Sequence, residues 1–372
     1  MNTERVPILA WVTRLTMRLD AALATLERRI SLWGAAALVA TALLALGALY
    51  VRPALEAVSH GVYYAELSRA PLSPGDNPVA YRILTPLLAW LLGLRGNRIL
   101  ILNLLLAWAT LALVYRHYRL RGRGPALALG YAAVLATTMP ILFTIHVNGY
   151  TDAASYLLLF LLLACGENAW VFGGLVLLSL LNRESVAFVL PFLLLLQARR
   201  TGKLWPSVAA SAVALALYLG VRYWLGTRAP DAQSAEFYLA PLLHDPLDWF
   251  RKASVAYYTG VFSAFKLLWA LPVAALWLAA RERRWLDLAV LASAIVGALG
   301  QTVIAVDTSR MLCMAFPAVL LGLEALEPRL DEAARAPTLL GLVGANMLVP
   351  QLYVAGNAIY VMQTLLGYVL TH

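Results

Sequence analysis

The stretch LWGAAALVATALLALGALYV, residues 32–51, decides the fold. It matches the ~20 apolar residues that an α-helix needs to cross a bilayer. No small-residue cleavage site clearly follows it, so it reads as a retained span and not as a cleavable signal. The rest of the chain repeats the pattern. Of its 372 residues 62% are hydrophobic and 13% charged, against about 25% charged in an ordinary soluble domain. With a mean hydropathy of +0.74, this composition predicts an all-α, polytopic integral membrane protein.

The formal net charge of +9 calls for no nucleic acid, because positive charge held at one membrane face accounts for it. The basic loops are RHYRLRGRG (116–124), ARRTGK (198–203) and RERR (281–284), with the mixed loop EPRLDEAARAP at 327–337. Placing these loops and the N-terminus in the cytoplasm orients the chain. Residues 1–31 space Leu9, Val12, Leu15, Leu19, Leu23, Leu26 and Ile30 at three- and four-residue intervals, with Arg14, Arg18, Arg28 and Arg29 between them. That pattern suits an amphipathic helix on an anionic cytoplasmic leaflet; the plain alternative is a basic tail. Residues 32–372 form one multi-span domain.

Spans are expected near 32–51, 99–115, 125–146, 151–165, 168–183, 186–198, 204–225, 256–280, 286–305, 311–326 and 338–356, with a weaker apolar segment at 358–370. About eleven or twelve crossings result. YRILTPLLAWLLGL (81–94) is short, and counting it as a crossing would send RHYRLRGRG outside. It is read as an interfacial helix, which makes 52–98 one large first outer loop. A second outer loop covers 227–255.

Most polar residues outside the basic loops then gather at the outer face, where ionisable groups near lipid are functional candidates. In HGVYYAELSRAP (60–71), His60, Tyr63, Tyr64, Leu67 and Ala70 fall near one helical stripe, while Glu66 and Arg69 point elsewhere. An interfacial helix with tyrosines at headgroup level has the same spacing. GDNPVAYR (75–82) offers Asp76 and Arg82. HVNGYTD (146–152) places His146, Asn148, Tyr150 and Asp152 at an outer helix end, as a site or as a capped turn. NRES (182–185) puts Arg183 and Glu184 in a short turn between apolar runs, where each needs a partner from elsewhere. VDTSR (306–310) spaces Asp307 and Arg310 for a local pair or for an anion. Cys165 and Cys313 lie in apolar runs and read as core. There is no GxGxxG, P-loop, HExxH, GxSxG or Cys/His cluster, and no convincing internal repeat.

A first span followed by a large outer loop that opens with Tyr64-Ala65-Glu66 resembles the GT-C superfamily of membrane glycosyltransferases, nearest its aminoarabinose and protein-mannosyl transferase branch. AYRILTPLLAWLLG, NRES…PFLLLL and DTSRMLCMAFPAVLL are similar to segments common in that broad group. The resemblance implies a sugar donor on a polyprenyl-phosphate carrier and an outer-face glycan, lipid or protein acceptor, in a bacterial inner membrane. It puts His60 where the family carries an acidic residue, with Tyr64 beside the substrate. The departure matters, since histidine is neither a carboxylate base nor a hard metal ligand.

The expected function is transfer of a sugar from the lipid-linked donor to that acceptor. Glu66 is the first candidate for the base, followed by Asp152, Glu184 and Asp76. Arg82, Arg183 and Arg310 are candidates for the carrier phosphate. A divalent metal would fit this chemistry, but no spacing demands one. The alternatives are a transporter or flippase for a lipid-linked or anionic substrate, and a non-catalytic membrane assembly subunit.

Overall fold

The computed structural model describes residues 7–73, 75, 77–147, 149–164, 167–228, 254–303, 305 and 307–364. Asp76, Asn148, Cys165, most of the 227–255 loop and the end of the 358–370 segment lie outside them.

The chain is predominantly helical. In order come α1 (Pro7–Tyr50), α2 (Gly61–Leu67), α3 (Leu84–Leu91), α4 (Ile99–Leu120), α5 (Pro125–Ala136), α6 (Met139–His146), α7 (Asp152–Ala164), α8 (Ala169–Asn182), α9 (Leu190–Thr201) and α10 (Trp205–Gly226). After these come α11 (Ser254–Phe265), α12 (Ala270–Arg281), α13 (Trp285–Gln301), α14 (Thr308–Leu312), α15 (Phe316–Leu326) and α16 (Glu332–Leu348). Among the described residues five helical segments are long and apolar enough to cross a membrane, or six if the bent α5–α6 pair is one span. The expected eleven or twelve is not reached on this measure, because α7, α8 and α13 are apolar but short. Short helices are tolerated where they pack on neighbours and not on lipid.

α1 is two helices joined at Ser31, whose φ of 71° leaves the helical region. The Ser31 hydroxyl accepts the Gly34 N–H at 3.3 Å and so caps the second half. The break coincides with the end of the Arg-interspersed segment. Beyond it Ala35, Ala36, Val39, Ala40 and Leu43 are buried, while Leu38, Leu46 and Leu49 are exposed. Small buried residues let α4 and α5 approach closely, and the exposed leucines make an apolar outer surface suited to lipid. At Gly297 a Cβ would stand 2.4 Å from the Phe188 carbonyl oxygen, so only glycine lets α13 pass the 184–189 segment.

α5 and α6 meet at a 54° bend. Pro140 lies in the first turn of α6, and the Thr137 and Thr138 hydroxyls fold back on the Ala133 and Val134 carbonyls.

The C-terminal region departs from the expected spans at 338–356 and 358–370. α16 stops at Leu348, and Val349 is extended (ψ 122°) because Pro350 follows it. The chain then forms a hairpin, β1 (Leu352–Ala355) against β2 (Ala358–Val361), antiparallel with Ala355 opposite Ala358. Buried Lys266 donates to the Val349 carbonyl at 3.2 Å, and Tyr50 does so at 2.7 Å. Together they tie down the helix end from which the hairpin departs.

The basic loops converge at one pole. Arg121 pairs with Glu324, Arg123 and Arg335 with Glu327, Arg329 with Glu282, and Arg199 and Arg284 with Asp287. Arg119 reaches back to Glu27 of α1. The opposite pole holds the other charged motifs.

Candidate functional site

Asp152 opens α7, and its carboxylate is buried. The link before it turns at Gly149 (φ 110°), where a Cβ would meet the Gly61 Cα at 3.0 Å, so the link lies directly against the start of α2. Asn182 fixes the register. Its amide donates to the Thr151 carbonyl and the Ser155 hydroxyl, each at 2.8 Å, and its carbonyl accepts from the Thr85 hydroxyl at 2.6 Å.

Arg183 follows α8 with extended backbone (φ −161°), which takes its side chain off the helix path. Its Nη1 ion-pairs with Asp152 Oδ1, and its Nη2 lies 3.0 Å from the Met311 sulfur. Arg310, from α14, closes the array on the other side. Its Nη2 is 2.5 Å from Asp307 Oδ2, and its Nη1 is 3.7 Å from the second oxygen of Asp152. The guanidinium lies over the Tyr150 ring at 4.5 Å and the Phe143 ring at 5.7 Å. Arg183 and Arg310 are only 5% and 9% exposed. The Nε–H of each is buried without a hydrogen-bond partner among the described residues.

Beside this array Arg82 grips Glu184 with two nitrogens, Nε at 3.0 Å and Nη2 at 2.6 Å, and gives Nη1 to the Tyr64 hydroxyl at 2.9 Å. Burial works to raise the Glu184 carboxyl, but the Arg82 guanidinium outweighs it and holds the group at about 2. Arg222 adds a further cation, stacked on Tyr81 at 4.0 Å and bonded to the Tyr218 hydroxyl at 3.0 Å.

The rim is aromatic. Burial pushes the Tyr150 phenol up, against the pull of the Arg310 guanidinium. Burial also raises Tyr353 of the hairpin, and the Asp307 carboxylate adds to it. The His60 ring is 5.7 Å from Tyr63 and 6.3 Å from Tyr150, centroid to centroid. Partial burial lowers its affinity for a proton, and so do Arg310 and Arg82, against the pull of Asp307.

No known family, curated protein or solved structure matches this chain.

The structure therefore gathers Asp152, Arg183, Asp307 and Arg310 into one buried array. Arg82, Glu184 and Tyr64 form a second group, joined to it through the adjacent Arg183–Glu184 pair. His60 stands beside the array through Tyr150, whose ring lies 6.3 Å from the His60 ring and 4.5 Å from the Arg310 guanidinium. Glu66 does not join them. It is exposed and lines a separate shallow cavity of about 340 Å³ with Tyr63, Ser73 and Asn77. Two residues of helix turn it ~200° from Tyr64, the side chain that faces Arg82. Among the described residues no group of three or more His, Cys, Asp or Glu side chains gathers as metal ligands would. Sequence reasoning missed Asn182, although it lies within the NRES motif. It also missed Tyr353, because its segment reads as part of a span.

Proposed function

We propose that the protein is a membrane glycosyltransferase of the bacterial inner membrane that moves a sugar from a polyprenyl-phosphate donor to an acceptor at the pole away from the basic loops. The observation that carries this reading is the pair of buried guanidiniums, Arg183 and Arg310, each keeping one N–H without a partner among the described residues. Leaving such donors buried and unmatched is costly, and a phosphate oxygen is the acceptor they suit best. Arginine stays charged and presents a planar fork to phosphate. Exposed apolar side chains such as Leu215, Leu217 and Leu219 on α10 give the carrier's long chain a surface to lie along.

Arg183 and Arg310 hold the carrier phosphate as it becomes the leaving group, and the aromatic rim receives the sugar. Asp152 keeps the two arginines apart and oriented between turnovers. The test is purified protein in liposomes with a radiolabelled polyprenyl-phosphate sugar and outer-face acceptors. Label is expected to leave the carrier for an acceptor. Label that crosses the bilayer still attached to its carrier identifies a flippase instead.

A further inference from the structure

The carboxylates gathered at this pole are each engaged by an arginine. Asp152 lies between Arg183 and Arg310, Asp307 is paired with Arg310, and Glu184 is gripped twice by Arg82. For Glu184 the Arg82 guanidinium stabilises the anion and removes basicity. Glu66 stands apart from the array, in a shallow cavity with Ser73 and Asn77. Among the described residues beside the array, the His60 imidazole offers an unshared electron pair near neutral pH.

We propose that His60 is the base that removes the acceptor's proton, a role that rests on the glycosyl-transfer reading. His60 precedes α2, where the exposed ring sits at the edge of the site beside Tyr63 of its own helix and Tyr150 of the link before α7. The charged groups that act on it come from two other segments: Asp307 and Arg310 at the start of α14, and Arg82 ahead of α3. The two arginines favour the neutral ring, so the base is ready at physiological pH. The acceptor hydroxyl gives its proton to an imidazole nitrogen while its oxygen forms a bond to the anomeric carbon of the sugar. The bond from that carbon to the carrier's phosphate oxygen breaks, and its electron pair leaves with the polyprenyl phosphate beside Arg183 and Arg310. The imidazolium then releases its proton to water at the exposed edge of the ring. Asp307 offsets the transient positive charge.

The experiment compares wild type, His60→Gln and His60→Ala for sugar transfer from about pH 5 to 8, the range in which histidine titrates. Binding of polyprenyl phosphate is measured alongside, to show that the variants remain folded. Wild-type kcat/KM should rise with pH through a midpoint below histidine's ordinary 6.5. His60→Gln should lose about 10²–10⁴-fold and that rising limb, with carrier binding retained. Added imidazole should restore part of the His60→Ala activity. A His60→Gln variant that keeps wild-type turnover, or that is slow with the same rising limb, overturns the base assignment alone. A wild-type protein that binds polyprenyl phosphate but transfers no sugar overturns the transferase reading and the base with it.

Discussion

The two poles of this molecule both pair arginine with carboxylate, and they differ in how deeply they do so. At the basic pole Arg121 and Arg329 are 47% and 49% exposed while they pair with Glu324 and Glu282. At the other pole Arg183, Arg310 and Asp152 are almost wholly buried. Exposed pairs of the first kind contribute only about 0–1 kcal/mol, and orientation of the chain in a membrane is reason enough for their arginines. A buried array costs several kcal/mol of desolvation per ion and gives weak net stability. Charge kept in such a place calls for an explanation other than folding. Glu327 of the basic pole is also buried, but its partners Arg123 and Arg335 are 30% and 29% exposed, so it is burial of the guanidiniums that separates the candidate site from the topological signal.

Removing Asp152 should produce the largest effect. Asp152→Ala leaves two buried guanidiniums without their shared anion, and the expected destabilisation is about 3–5 kcal/mol. Thermal unfolding in detergent measures it, and a variant as stable as wild type would erase the distinction between the poles.

Next come Arg183→Lys and Arg310→Lys. Each keeps the charge and removes the fork, and each should weaken binding of polyprenyl phosphate by about 1.5–3 kcal/mol. Equilibrium binding to the detergent-solubilised protein reads this out.

Smaller still is the acid response of the Arg82–Glu184 pair. The Glu184 carboxyl is lowered in the folded protein from an ordinary 4.5 to about 2. The stability it contributes is therefore fully present above about pH 4.5 and is lost as pH falls toward 2. Glu184→Gln should lack that component, so stability curves of the two proteins should converge as the solution is acidified. Curves that stay parallel between pH 4.5 and 2 would show that the pair adds nothing.

The smallest effect belongs to the basic pole. Arg121→Ala should change stability by no more than about 1 kcal/mol, and less in high salt. A larger loss would mean that the exposed pairs hold the helices together.

The division into poles was legible in the sequence because ionisable residues are scarce in an apolar chain. NRES, VDTSR and HVNGYTD each stood out as interruptions, and their Arg183, Asp307, Arg310 and Asp152 do meet. What spacing could not show was who pairs with whom. Arg183 and Glu184 are neighbours in the chain, yet Arg183 goes to Asp152 and Glu184 to Arg82, a choice made by the extended residue that ends α8. Glu66 lies two residues from Tyr64 in a helix of only seven, too short for spacing to say which face meets the site. The hairpin was hidden because LYVA and AIYV are as apolar as the spans. The proline after Val349 was the available signal.

The most direct test of a phosphate site at the buried pole is binding of polyprenyl phosphate to the purified protein, measured for wild type, Arg183→Lys, Arg310→Lys and Arg121→Ala. Wild type and Arg121→Ala should bind alike, while each lysine variant should lose about 10- to 100-fold in affinity. Equal affinity in all four proteins, or a loss confined to Arg121→Ala, would contradict such a site.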